Sequence, residues 1–155
     1  MEKQKISMTR YIALFLLFLG FAVQTNAQNS PMDTLGIVKG SVHMKGTFPY
    51  SKFLKKHKGS TNLVVHVWYN PTGSISNKSE IKAGADEIHL FYARNLNSGL
   101  SEMDFKLGSN AKKAFAKKKE KDLQEFIDFF EFDVFPGQHF NGTTAMEALL
   151  ERING

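Results

Sequence analysis

Hydrophobic and polar positions form their clearest pattern between residues 62 and 94. Nearly every position in 63–69 is apolar, so an extended segment there has two apolar faces. Such a segment favours a central strand that is covered on both sides. Residues 70–73, Asn-Pro-Thr-Gly, favour a turn, and an alternating apolar face resumes over 88–92. The pattern predicts an antiparallel meander over residues 62–94.

Weaker patterns before and after this meander predict further elements. Alternation over 35–44 indicates a half-exposed strand, and residues 51–59 indicate a short helix that ends at Gly59. Ser101 and Asp104 have the spacing of a capping box, which predicts a short helix there.

The C-terminal third predicts mainly helices. A long helix is expected from Asn110, with its first half in solvent and its second half docked on the core. Alternation after Phe129 predicts a strand that ends at Pro136. Thr144 and Glu147 have capping-box spacing and predict a final helix.

These elements predict one α+β domain over residues 28–155. The sheet is expected to be mostly antiparallel, with about four to five strands and with helices packed on one face. No internal repeat or linker divides this part of the chain. Trp68, the only tryptophan, is expected to be buried beneath a helix.

Residues 1–27 have the pattern of a cleaved export signal. Lys3, Lys5 and Arg10 precede an apolar stretch over 11–23, and small residues at positions 25 and 27 precede a cut before Gln28. The apolar stretch is shorter than the roughly 20 residues that span a bilayer. The sequence therefore predicts an exported protein, periplasmic or secreted, with no transmembrane span after signal cleavage.

Composition limits the classes of function. Cysteine is absent, so an exported form has no disulfides, which is more typical of a bacterial envelope protein than of a small eukaryotic secreted domain. Without the signal's charges, the 20 basic and 15 acidic residues become 17 and 14, a net charge of +3. This mild excess does not indicate a specific nucleic-acid partner.

Histidine is the residue type with the most scope for chemistry. None of the five histidines has another ligand at the spacing of a zinc motif, so the sequence predicts no metal site and no cofactor. His66 and His89, on two predicted strands, are candidate ligand-binding residues together with Trp68. A cleft in which either histidine meets Glu87, or an acid at 131 or 133, would favour an envelope hydrolase.

Lysine is concentrated in residues 112–121. Lys113, Lys117 and Lys121 are each four residues from the next, so on one helix they form a line that is a candidate binding face for anionic polymers or membrane surfaces. The competing interpretation is a solvated helix face.

No nucleophile elbow or phosphate-binding loop is present, and no catalytic residue is assigned. The favoured hypothesis is a small, exported, non-catalytic binding or interaction module with an unknown protein or small-molecule partner. The alternatives are the hydrolase and the anionic-surface binder.

Overall fold

The computed structural model describes residues 31–48, 63–94 and 101–155. The chain divides into two units, and the second, Thr34–Gly155, holds almost all of the elements described below. Five strands form one sheet in the order β1-β2-β3-β4-β5, and three helices follow them. The strands are β1 Met32–Val38, β2 Ser41–Thr47, β3 Val64–Asn70, β4 Glu87–Arg94 and β5 Ser101–Leu107; the helices are α1 Ser109–Ala116, α2 Glu120–Asp128 and α3 Gly142–Asn154.

The predicted α+β fold with a mostly antiparallel sheet is confirmed. The single strand expected over 35–44 is instead a hairpin of β1 and β2. Lys39 and Gly40 between them both have positive φ, 49° and 85°, which matches the two-residue turn that suits twisted antiparallel strands. The helix expected over 51–59 and the export signal lie outside the described residues.

The predicted antiparallel meander is wrong at its centre, because β3 and β4 are parallel. The Asn-Pro-Thr-Gly turn after β3 does not lead directly into the next strand. It begins a crossover over residues 71–86, which contains one 3₁₀ turn, Lys78–Glu80. A connection of this length is what adjacent parallel strands require.

One face of the sheet packs against α1, α2 and α3, which form the helical layer. An aromatic core lies between the sheet and this layer. Phe126 of α2 contacts Phe105 of β5, and Phe135 contacts both Tyr69 and Tyr92. Side chains on this face alternate along β3 and β4, and the helical layer buries them. They are Val65, Val67, Tyr69, Ile88, Leu90 and Tyr92.

The crossover covers part of the opposite face. Lys106 of β5 donates from Nζ to the carbonyl oxygens of Lys78 and Ile81, both at 2.6 Å. Asn70, at the end of β3, donates to the carbonyl oxygen of Ser74 at 2.9 Å. Each face of the central strands is therefore covered by a different part of the chain.

Helix α1 and the segments around it correct three predictions. Residues 101–107 form strand β5 instead of a short helix, and Phe129–Val134 form a π-helix instead of a strand. The long helix is two helices, α1 and α2. The first of them does not project into solvent, since it buries Ala111, Ala114 and Phe115.

The predicted final helix is present as α3, but it begins at Gly142, before the predicted cap at Thr144. Asn141 is the N-cap, and its Oδ1 accepts a hydrogen bond from the backbone N–H of Thr144 at 2.9 Å. Asparagine is among the best residues at this position. Among the described residues, no helix is both long and apolar enough to cross a membrane.

Asp104 joins α3, β5 and the crossover through one carboxylate. Arg152 donates to it from Nε and Nη2, both at 2.7 Å, and Lys78 donates from Nζ at 2.8 Å. Burial acts to raise the pKa of Asp104, but these donors outweigh it and lower the pKa to about 2. The carboxylate therefore stabilises the fold in its ionised form.

We expect Asp104→Asn to lower the free energy of unfolding at pH 7 by roughly 1–2 kcal/mol, since both cationic partners are half exposed. Because the folded pKa lies below the unfolded value of 3.8, this stability is present above about pH 4 and is lost as the pH falls towards 2. Urea unfolding of the parent and of Asp104→Asn at pH 7 and at pH 2.5 measures this difference in the free energy of unfolding. Equal differences at both pH values would contradict the ionic origin.

Candidate functional site

The strand register assembles histidines from three strands on the face opposite the helical layer. His66 of β3 is the partner of His89 in β4, and His43 of β2 is the partner of Trp68. The imidazole rings of His66 and His89 stack with centroids 4.3 Å apart and planes 5° apart. The ring of His43 stacks on Trp68 at 3.7 Å.

Glu87 completes this cluster, because it lies two residues before His89 and so shares its face of β4. Its Oε1 is 3.0 Å from Nε2 of His89, and its Oε2 is 3.7 Å from Nε2 of His66. The backbone N–H of Gly84 also donates to Oε1 at 2.8 Å, which fixes the carboxylate. The carboxylate thus faces two imidazole nitrogens on the same side.

His89 is held in one tautomer by Trp68. The indole Nε1 donates to Nδ1 of His89 at 3.0 Å, and an indole nitrogen can only donate. Nδ1 of neutral His89 is therefore the acceptor, and its proton is on Nε2, which donates to Glu87. Both residues are buried, at 7% and 3% exposed.

His66 has a different environment. Its Nδ1 is 2.8 Å from Nε2 of His43, but its Nε2 is buried and has no hydrogen-bond partner in the described part of the chain. Oε2 of Glu87 lies 3.7 Å from this Nε2, which is beyond hydrogen-bond distance. When Nδ1 donates to His43, Nε2 carries an unused lone pair that faces the carboxylate.

Burial and charge set the ionisation of the cluster. Burial is the main cause that lowers the pKa of all three histidines, and His66 and Lys45 help to bring that of His43 to about 4. Hydrogen bonds from His89 and Gly84 lower the pKa of Glu87. Near neutral pH the cluster has neutral imidazoles and one carboxylate, which together favour a cation.

His66, Glu87 and His89 can hold a metal ion. One nitrogen from each histidine and one carboxylate oxygen lie within 4.8 Å of one another. In a tetrahedral site with bonds of 2.0–2.1 Å the ligand atoms are about 3.4 Å apart, so these atoms must draw together around an ion. Two imidazoles and one carboxylate suit zinc and its neighbours among the transition metals.

The structure brings together three of the six candidate residues named from the sequence. His66, His89 and Trp68 form one cluster, although Trp68 is buried on the face away from the helices and not beneath one. Glu87 is the carboxylate that meets both histidines. The acids at 131 and 133 lie in the π-helix. His43 was not expected to join this cluster. The one signal for it in the sequence is its position on a strand that neighbours the strand of Trp68.

The candidate lysines lie elsewhere. Lys113, Lys117 and Lys121 are exposed, but α1 ends at Ala116 and α2 begins at Glu120. The prediction that these three lysines form one line on a continuous helix is therefore wrong. Anion binding by these side chains stays a prediction.

An open recess of about 570 Å³ lies at the start of α3. Its polar lining includes Gln124, Glu131, His139 and Thr143. Thr144, which also lines it, uses its backbone N–H for the cap from Asn141. None of these lining residues has a buried polar atom without a hydrogen-bond partner, unlike His66.

No protein-family model, curated protein or solved structure matches this chain.

Proposed function

We propose that this protein is a small, non-catalytic binding module whose ligand is a divalent transition-metal ion held by His66, Glu87 and His89. The observation that carries the proposal is the buried Nε2 of His66, which faces the Glu87 carboxylate without a hydrogen bond. A buried polar atom without a partner has a free-energy cost, and a bound cation removes it. The 3.7 Å gap between the two atoms is close to the separation of two ligands on one ion.

Partners outside the three ligands support the same proposal. Metal-bound histidines and carboxylates are usually oriented by further hydrogen bonds. Nδ1 of His66 shares a hydrogen bond with His43, and Oε1 of Glu87 accepts one from the backbone N–H of Gly84. Three protein ligands leave at least one coordination position for water or another ligand.

Metal binding requires a small rearrangement. The rings of His66 and His89 are nearly parallel, so one ion cannot lie in the planes of both. One ring must tilt as the ligand atoms close around the ion. Because His89 is bonded to Trp68, the tilt changes the surroundings of the indole.

Zinc titration of the purified chain tests the proposal. We expect the parent to bind one Zn²⁺, measured by calorimetry, with a parallel change in the fluorescence of Trp68. Glu87→Gln keeps the shape of the side chain and removes the charge, so it should weaken binding at least about tenfold. His139→Gln, an exposed histidine outside the cluster, is the matched control and should leave affinity unchanged. Equal affinity of Glu87→Gln and the parent would refute the site.

A metal- or histidine-dependent hydrolase is the second candidate, because His66 and His89 do meet Glu87 across neighbouring strands. A zinc ion with three protein ligands and an open position is also the arrangement of catalytic zinc. Hydrolysis of p-nitrophenyl acetate by the zinc-loaded parent, but not by zinc-treated Glu87→Gln, would favour the enzyme. No such difference would favour the binding module.

We further propose that the protein is exported, which rests on the charge and hydropathy pattern of residues 1–27. Mass spectrometry of the protein from its native host is expected to show a chain that begins at Gln28. Recovery of chains that retain residues 1–27 would contradict export by signal cleavage.

A further inference from the structure

Trp68 fixes the tautomer of His89 through one hydrogen bond. A histidine binds a metal ion through an unprotonated ring nitrogen. The nitrogen of His89 that faces Glu87 and His66 is Nε2, and the indole bond to Nδ1 keeps the proton on that Nε2. As it stands, His89 presents an N–H to the place where an ion would bind.

For His89 to become a ligand, the proton must move through solvent from Nε2 to Nδ1, with no net gain or loss of protons. The new Nδ1–H would then face the N–H of the indole, which cannot accept a hydrogen bond. The hydrogen bond of 3.0 Å between Trp68 and His89 would therefore be lost on metal binding.

The indole cannot easily move aside. Trp68 is 7% exposed, and its ring lies against that of His43 at 3.7 Å with planes 7° apart. His43 in turn contacts Nδ1 of His66, so the two histidines of the proposed metal site, His66 and His89, are both coupled to the indole. A change at Trp68 therefore reaches the whole cluster.

We infer that Trp68 is a positioning residue that selects the metal-free tautomer of His89 and so weakens the affinity of the cluster for metal ions. This inference rests on the proposed metal site and adds its regulation. A site restrained in this way releases its ion more readily than the same site without the indole donor. Removing the indole N–H alone should strengthen binding.

The test is Trp68→Phe, which keeps an aromatic ring against His43 and removes the donor. We expect it to bind Zn²⁺ about tenfold more tightly than the parent in calorimetry, because a buried hydrogen bond no longer competes. Tyr69→Phe is the matched control, since Tyr69 is the next residue of β3 and faces the helical layer. It should leave zinc affinity unchanged.

Nitrogen NMR of the imidazole rings in the metal-free protein tests the tautomer directly. The parent is expected to show His89 protonated on Nε2, and Trp68→Phe to show a shift towards protonation on Nδ1. Protonation on Nδ1 in the parent would overturn the inference. If the parent and Trp68→Phe bound zinc with equal affinity, the inference about Trp68 would be overturned and the proposed metal site would stand. If neither protein bound zinc, the proposed function would be overturned too.

Discussion

Replacing Phe126 with alanine is expected to lower the free energy of unfolding by about 3–5 kcal/mol. Phe126 is fully buried at the centre of the aromatic core. Its ring makes edge contacts with the rings of Phe48, Phe115 and Phe130 at 4.9–5.0 Å, so it joins the segment just after β2 to α1 and the π-helix. The substitution removes both the buried apolar area and these ring pairs.

Phe132 provides the control for this measurement. It is six residues away, in the π-helix, and its side chain is 64% exposed. Phe132→Ala should change stability by less than about 0.5 kcal/mol. Urea unfolding of both variants gives the two values, and a loss of under about 1 kcal/mol for Phe126→Ala would contradict the described core.

Gly108→Ala is expected to lower the free energy of unfolding by about 3 kcal/mol. The φ and ψ of Gly108, −65° and 163°, suit alanine, so the cost is steric alone. An added Cβ would clash with the carbonyl oxygen of Gly84 and lie 2.6 Å from that of Ala85. Backbone must therefore move between β5 and the end of the crossover.

The same substitution also reaches the candidate metal site. Gly84 supplies the N–H that holds Oε1 of Glu87, and Gly108 donates to the carbonyl oxygen of Glu87 at 2.9 Å. Gly108→Ala should thus weaken zinc binding as well as the fold. Gly73→Ala is the control, since an added Cβ there meets nothing within 4 Å. Equal stability of the two variants would contradict the close approach at Gly108.

Elements with a strong local period were predictable from the sequence. The apolar run at 63–69 covers all of β3 except its last residue, and the apolar stripe of the last helix lies within α3. The π-helix at 129–134 was mistaken for a strand because alternating phenylalanines and acids have period two. Its packing involves a residue far away in the sequence, since the ring of Phe129 contacts that of Phe48, and the local pattern does not show this.

Strand β5 shows how a local motif can mislead. Ser101 and Asp104 have the spacing of a helix cap, but Asp104 is bonded to Arg152 and Lys78, far away in the sequence. The alternation of Met103, Phe105 and Leu107 was the better signal, since it has the period of a strand.

The candidate site was only half predictable, for the same reason. His66 and His89 could be placed on strands, but their meeting depends on β3 and β4 being parallel and in register. The turn sequence at 70–73 favoured an antiparallel pair of strands. In such a pair the residue opposite His66 would not have been His89. The length of 71–86 was the one available signal for a crossover.

Anomalous diffraction from crystals soaked in Zn²⁺ tests the central claim most directly. We predict one strong peak at the zinc edge between Nε2 of His66, Nε2 of His89 and a carboxylate oxygen of Glu87, with zinc–nitrogen distances of about 2.0–2.1 Å. The indole of Trp68 should no longer donate to His89 in that structure. A zinc peak only at other residues, or no peak while His66 and Glu87 remain 3.7 Å apart, would contradict the proposed metal site.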